Sequence, residues 1–398
     1  MSCEINKSDV PASNRADTKL DLPDVVPPLY SLYLYISESC NLACRHCWIS
    51  PGYNPGNNGG KQVELDWVRK AVREAGPLGL QNVKLTGGEP LLHTGFRELV
   101  NFIDGQGLEI QMETNGTLID HDLAKFLNRK KHLSFISVSL DGSDDETHER
   151  LRRVPGSFKK AVQGIENLVG RGFQPQLICT LHKGNISQLN EVIQLAENLG
   201  CGSVKFNHVQ KLGRGEDFAK QQGLKVSDII SIYRRLEKDY SIRSKIPIHF
   251  DIPLAFFTIR RLLDEDLGRC TVKNILGLLA GGELSLCGIG TLIPEMIFGR
   301  IESDALHDVW CHSPGLVQLR EKIPDALESI CSLCIHRDLC QGACVADNYH
   351  ATGRLSAAHQ FCQIADEMGL FPESRKNQPP SAKAEGLGFK APRGQGVK

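Results

Sequence analysis

The stretch Cys40-Asn41-Leu42-Ala43-Cys44-Arg45-His46-Cys47 follows directly on an apolar, β-rich run, Tyr30-Ser31-Leu32-Tyr33-Leu34-Tyr35-Ile36. The run reads as a strand and the cysteines as the loop leaving it. Three thiolates spaced C-x3-C-x2-C on one short loop suit a soft metal or an iron–sulfur cluster. Such a cluster usually takes four ligands, so three cysteines leave one iron open to bind a reactant. The competing reading is a structural zinc knuckle, or loop cysteines kept reduced.

Working outward from Leu32, short apolar runs alternate with helical stretches. Strands are expected over residues 82–86, 108–114, 133–140, 176–181 and 203–209, with helices over 96–104, 121–128, 158–171 and 186–199 between them. The helix at 158–171 carries Phe158, Ala161, Val162, Ile165, Leu168 and Val169 at helical spacing. Strand–helix repetition at this pitch predicts an α/β fold: a parallel sheet with crossover helices, wound into a partial (β/α)6 TIM-like barrel. The working end of such a barrel is the C-terminal edge of its strands.

The chain of 398 residues has room for one large α/β domain and a smaller module. The expected organisation is a flexible N-terminal arm over 1–28, a barrel over 29–225 and a helical bridge over 226–268. A cysteine-rich domain over 269–372 and a disordered Pro/Gly/Lys-rich tail over 373–398 complete it. A net charge of −1 gives no global basic field for nucleic acid or an anionic membrane. No apolar run reaches the roughly 18 residues that span a bilayer, and the polar N-terminus lacks a secretory h-region. Fourteen cysteines in a chain of that kind favour metal or redox use in a reducing cytoplasm over a disulfide scaffold.

After the 82–86 strand comes Thr86-Gly87-Gly88-Glu89-Pro90. Adjacent glycines let backbone approach a ligand closely. Glu89 adds an anionic acceptor suited to an ammonium group, and Pro90 stiffens the exit. Taken alone, the same residues are an ordinary turn before a helix.

Together these motifs resemble the radical SAM superfamily. Cys40, Cys44 and Cys47 match its catalytic cluster loop, and Gly87, Gly88, Glu89 and Pro90 match the motif that binds the methionine amino group of S-adenosylmethionine. Further matches follow in the family's order: Thr114 and Asn115 in Glu113-Thr114-Asn115-Gly116, and Ser139 in Ser137-Val138-Ser139-Leu140-Asp141-Gly142. The resemblance implies ribose and backbone contacts at the first and a ribose-facing hydroxyl at the second. It also implies that Arg152, in the His148 to Phe158 stretch, reaches the methionine carboxylate. The family usually has Gly next, where this chain has Arg153, so Arg150 and Arg153 compete with Arg152 for that role. The implied chemistry is reductive cleavage of S-adenosylmethionine to a 5′-deoxyadenosyl radical that takes hydrogen from C–H bonds, with the protein orienting the cofactor.

Seven cysteines follow in the C-terminal part: Cys270, Cys287, Cys331, Cys334, Cys340, Cys344 and Cys362. Zinc ribbons also use C-x2-C pairs. The C-x2-C-x5-C-x3-C core resembles the SPASM extension of radical SAM enzymes, which holds two auxiliary clusters. That resemblance implies one 4Fe–4S cluster on Cys331, Cys334, Cys340 and Cys362, and a second on Cys270, Cys287 and Cys344. That second cluster is either open at one iron or completed by another residue, with Cys311 a candidate.

Three functions are in contention. The first is a peptide maturase that crosslinks (thioether or C–C) or oxidises a ribosomally made peptide or protein. The second is a cofactor-pathway enzyme acting on a small molecule such as a tetrapyrrole side chain. The third is a non-catalytic metal-binding scaffold. For the first, no fused leader-binding domain precedes the barrel, so a separate leader-peptide recognition protein or the barrel mouth itself must serve. An external electron donor of flavodoxin or ferredoxin type is implied as well. Asp251 and Tyr349 are candidate acid–base groups, with packing or solvent-facing roles as alternatives.

Overall fold

The computed structural model describes residues 20, 22–56, 59–240, 244–263 and 270–377. A ten-stranded sheet runs through it. Its strands are β1 (Ser31–Tyr35), β4 (Asn82–Thr86), β5 (Glu109–Thr114), β6 (Leu133–Ser139), β7 (Gln176–Leu181), β8 (Ser203–His208), β9 (Ile248–Phe250), β10 (Ile275–Leu278), β11 (Glu283–Ser285) and β12 (Ile297–Arg300). Two short strands, β2 (Ser39–Cys40) and β3 (Gly52–Tyr53), pair separately beside the cysteine loop. The order across the sheet is β12-β11-β10-β1-β4-β5-β6-β7-β8-β9. All pairings from β10 to β9 are parallel, and only the β10-β11-β12 meander is antiparallel. The sheet is open, with β12 and β9 at its edges, and its parallel run is the one expected of a partial barrel.

Crossover helices α1 (Leu65–Ala75), α2 (Phe96–Gly105), α3 (His121–Leu127), α4 (Asp145–Arg152), α5 (Ser157–Val169) and α6 (Leu189–Leu199) join the parallel strands. Local chemistry starts them where they start. The Asp120 carboxylate accepts from the Leu123 N–H at 2.7 Å and that of Asp144 from the Thr147 N–H at 2.8 Å, satisfying first-turn donors. On α5 the residues at helical spacing, Ala161, Ile165 and Leu168, are fully buried against the sheet. All five residues of β4 are buried, as expected of a central parallel strand covered on both faces.

Beyond β8 lie α7 (Arg214–Gln222), α8 (Val226–Tyr240) and a one-turn α9 (Ile259–Leu262). The C-terminal part is built from α10 (Leu306–His312), α11 (Pro314–Lys322), α12 (Ser329–Leu333), α13 (Arg337–Cys340), α14 (Val345–Thr352) and α15 (Gln360–Glu367). These elements enclose a second apolar core that includes Phe256, Phe257, Ile289, Leu327, Ile330 and Phe361.

Three expected boundaries move. The bridge over 226–268 is not helical throughout, because β9 interrupts it and extends the sheet beside β8. The meander β10–β12, expected in the cysteine-rich domain, instead continues the barrel sheet next to β1. Its apolar run Ile275-Leu276-Gly277-Leu278 is buried on both faces, which a free-standing small domain does not provide. The ends of the arm and tail are ordered where they meet protein. The Pro27 carbonyl accepts from Trp310 Nε1 at 2.9 Å, and residues 373–377 pack through Ile335 N–H to Arg375 O and Asn377 N–H to Leu333 O. The rest of the expected arm and tail, residues 1–19, 21 and 378–398, lies outside the described residues, as does Cys3.

Candidate active site

The C-terminal ends of β1, β4, β5 and β6 meet at one mouth, and the cysteine loop lies across it. Cys40 and Cys44 are buried and Cys47 half-buried around Leu42 and Val154. The three thiols face one another closely enough to act on each other's ionisation. Burial, with Glu89 and then Cys44 beside it, pushes the Cys40 thiol up to about 12. Cys40 and Cys44, buried thiols that resist ionisation, fit a group whose positive irons would hold them as thiolates.

Gly87 and Gly88 do more than open the turn. A Cβ on Gly88 would lie 2.1 Å from the Ser39 carbonyl oxygen, and one on Gly87, which sits at φ +135°, would lie 2.9 Å from that of Ser37. Their absence of side chains lets Gly88 N–H donate to Ser37 O and Glu89 N–H to Ser39 O, each at 2.8 Å. The glycine turn is therefore bonded, backbone to backbone, to the residues just before Cys40. Pro90 then begins a 3₁₀ turn, Pro90–Leu92, whose first free N–H, from Leu91, donates to Glu89 Oε1.

Glu89 is 1% exposed and points into the mouth. Its carboxylate accepts from Thr114 Oγ1 at 2.6 Å and from the Asn115 N–H at 2.8 Å. Burial raises its pKa to about 7 despite those bonds. A cation beside it, such as an ammonium group, would keep it ionised. Asn115 turns toward the cysteine loop: its Nδ2 donates to Asn41 Oδ1 at 2.8 Å and lies 3.8 Å from Cys40 Sγ. Ser139 sits half-buried at the end of β6.

Arg152 is the member of the arginine trio that faces the loop. Its Nε donates to Asp141 Oδ2 at 2.5 Å, and its Nη1 lies 3.5 Å from Cys44 Sγ. Arg150 is exposed beside Glu146, and Arg153 closes α4 in the left-handed conformation. The α4 end is tied to the cysteine loop by the Ala43 and Arg45 N–H groups, which donate to Arg152 O and Leu151 O. Burial works against Asp141's charge, but Arg152, with His46 and His148, outweighs it and holds the carboxyl well below the usual range. Burial lowers His46 and His148 to about 4, so both rings are neutral near pH 7.

Two partners of the loop escaped sequence reasoning. Asp141 stands in a quoted motif, yet its role as counter-ion to Arg152 depends on α4 folding back onto β6. Arg214, at the start of α7, donates through Nε to Cys44 O at 2.9 Å and through Nη1 to Pro51 O at 3.0 Å. The available signal was Gly213-Arg214-Gly215: a Cβ on Gly213 would sit 2.5 Å from Trp48 O, and one on Gly215 2.9 Å from His46 O.

The seven later cysteines fall into two groups in space. Cys331, Cys334, Cys340 and Cys362 line one small cavity with Pro253 and Phe371. Backbone N–H groups of His359 and His336 lie 3.4 Å from Cys331 Sγ and Cys334 Sγ, donors suited to anionic sulfur. Cys344 instead feels Cys270 and Cys287, and the Asp347 N–H lies 3.4 Å from its Sγ. Tyr33, Tyr35 and half-buried Trp48 pack beside Cys270 and Cys287, so this group adjoins the barrel interior. Cys311 joins neither. A buried residue of α10, it packs in the barrel core with its Sγ 3.7 Å from His307 Nε2, away from the set for which it was a candidate ligand. Among the described residues there is no disulfide.

Residues 34–196 match the family described as the Radical SAM superfamily. The chain is 26% identical over 338 residues to an AdoMet-dependent heme synthase of Methanosarcina barkeri, covering 82% of this chain and 94% of that one. It is also 26% identical over 333 residues to the mycofactocin maturase MftC of Mycolicibacterium smegmatis, covering 79% and 77%. Streptococcus suis SuiB bound to S-adenosylmethionine superposes with a TM-score of 0.65 at 17% identity, covering 85% of this chain and 77% of that one, a likeness of fold. No helix among the described residues is long and apolar enough to cross a membrane. Family match, fold and site agree: residues 34–196 form a radical SAM domain, and the chain is an enzyme that uses S-adenosylmethionine and a 4Fe–4S cluster.

Proposed function

We propose that the enzyme abstracts hydrogen from a ribosomally made peptide or protein and leaves it crosslinked, through a thioether or carbon–carbon bond, or otherwise oxidised. Cys40, Cys44 and Cys47 would hold the catalytic cluster. Glu89 would accept the methionine ammonium, Arg152 would face its carboxylate, and Thr114, Asn115 and Ser139 would line the nucleoside side. When bound, the cluster and S-adenosylmethionine supply a 5′-deoxyadenosyl radical; the surrounding residues orient it and keep water out. Cys331, Cys334, Cys340 and Cys362, and separately Cys270, Cys287 and Cys344, would hold two auxiliary clusters in a SPASM-type domain. Oxidative crosslinking releases electrons, and these clusters give them a place to go.

The observation that carries the peptide reading is the open edge of the sheet. Strand β9 pairs with β8 on one side, and no described strand covers the other. Its Phe250 packs against both the barrel core and the cysteine-rich core, so the edge lies at their seam. An extended peptide can add to such an edge through backbone hydrogen bonds while one side chain reaches the mouth. The mycofactocin maturase among the relatives supports this reading.

A second reading, a small-molecule substrate such as a tetrapyrrole, is favoured by the heme synthase relative, which the match covers over 94% of its length. Mass analysis of a candidate peptide co-expressed with the enzyme separates the two. Loss of two hydrogens supports crosslinking or oxidation of a peptide. An unmodified peptide, together with turnover of an iron porphyrin carrying propionate side chains, would sink the peptide reading.

A further inference from the structure

Away from the mouth, α10 presents two ligand pairs, each one helical turn apart. His307 and Cys311 are related by i, i+4, as are Asp308 and His312, so the two pairs form adjacent stripes, with Cys311 on the buried side and Asp308 and His312 exposed. One ligand atom each from His307, Asp308 and His312 lies within 4.8 Å of the others. Cys311 Sγ is 3.7 Å from His307 Nε2. A zinc ion held tetrahedrally by one sulfur and one imidazole nitrogen separates those two atoms by about 3.6 Å. The pair therefore already stands at the spacing of two ligands of one ion.

Two further features favour a cation bound through a thiolate. The Arg320 guanidinium stacks 4.4 Å over Trp310 and donates from Nη1 to Trp310 O, while its Nε and Nη2 are buried without a hydrogen-bond partner. Cys311 lies close enough to Arg320 to act on its charge. A positive group with unmet donors beside a buried thiol favours the thiolate. Cys311 and His312 also stand in the last turn of α10, where the helix's exposed carbonyl end attracts cations.

We propose that His307, Asp308, Cys311 and His312 form a binding site for a divalent ion of the zinc class, separate from the iron–sulfur sites. Three borderline nitrogen and sulfur donors with one carboxylate match zinc better than magnesium or calcium, which take oxygen. The ion would fasten the end of α10 where the chain turns into α11. This gives Cys311 a role that the two other cysteine sets do not.

The test uses full-length enzyme with its clusters reconstituted anaerobically, dialysed against zinc, with iron and zinc per chain measured together. The unsubstituted enzyme should retain about one zinc per chain more than His307→Ala/His312→Ala, at equal iron. Its zinc absorption edge should report a mixed shell of nitrogen or oxygen with a single sulfur. Equal zinc in both proteins, or an all-sulfur shell from metal lodged in the cysteine cavities, overturns the proposal. If the double variant loads less iron, Cys311→Ser decides the question. Loss of the sulfur contribution supports the site, and an unchanged shell refutes it.

Discussion

The thiol loop at the barrel mouth and the cysteine-rich region beyond residue 270 use the same donor atom but reach it by different routes. In the first, three cysteines within eight residues are presented by one strand end, and neighbouring strand ends supply the clasp: Gly88, Glu89 and Asn115 all bond to the loop or to the residues just before it. In the second, Cys331 and Cys362 share a cavity though far apart in sequence, and Cys344 turns away from nearby Cys340 toward Cys270 and Cys287. A loop held by strand ends is specified locally. A set assembled from separate helices is specified only by how those helices pack.

The largest effect expected from that contrast concerns the two thiol sets themselves. Replacing Cys40, Cys44 and Cys47 together with Ala should bring 5′-deoxyadenosine release to background. Cys331→Ala/Cys334→Ala should lose roughly four irons per chain yet still cleave S-adenosylmethionine. Equal cleavage by the triple variant and the parent would break the assignment of the catalytic loop.

Next comes the ion pair that pins the loop from α4. Arg152→Ala leaves Asp141 buried without its guanidinium, and stability should fall by about 3–5 kcal/mol, read by chemical denaturation. Arg150→Ala, at the exposed neighbour, should cost under ~0.5 kcal/mol. Similar losses in both would show that the loop does not depend on the pair.

Glu89 sharpens the comparison through pH, in protein freed of metal. The native carboxyl holds its proton to about 7 and the unfolded one only to its ordinary 4.5. The folded state therefore binds the extra proton between those values, and its stability falls as pH rises through 7. A shift of that size is worth about 3 kcal/mol. His46 and His148, lowered to about 4 from 6.5, act with the opposite sign, losing stability as pH falls toward 4. The difference between the parent and Glu89→Gln cancels the histidines. That difference should fall by about 3 kcal/mol as pH rises from 4.5 to 7, and parallel curves would refute the buried carboxyl's role.

The smallest expected effect is at the glycine clasp. Gly88→Ala places a methyl against the Ser39 carbonyl, and the backbone shift that relieves it should cost roughly 1–3 kcal/mol and loosen iron binding at the loop alone. Gly156→Ala has open space but a left-handed backbone, so it should cost only about 1 kcal/mol and leave iron content unchanged.

Much of this molecule can be read without its coordinates, and the readable part has a common cause. Strands such as residues 82–86 and 176–181 announce themselves through apolar and β-branched residues, Val83, Leu85 and Thr86 in one and Leu177, Ile178, Thr180 and Leu181 in the other. The cysteine loop, the glycine turn, Thr114, Asn115 and Ser139 are legible because a parallel barrel brings consecutive strand ends to one mouth. Residue order along the chain thus becomes neighbourhood in space. Tertiary packing decided what order cannot encode. It chose Arg152 over Arg150 and Arg153, because only its side chain points inward from α4 toward Asp141. It carried β9 and the β10–β12 meander into the barrel sheet, because strands that short find enough burial only beside β8 and β1. It also sent Cys311 to the far face of α10, where helix geometry, and not spacing to other cysteines, determines what a thiol can meet.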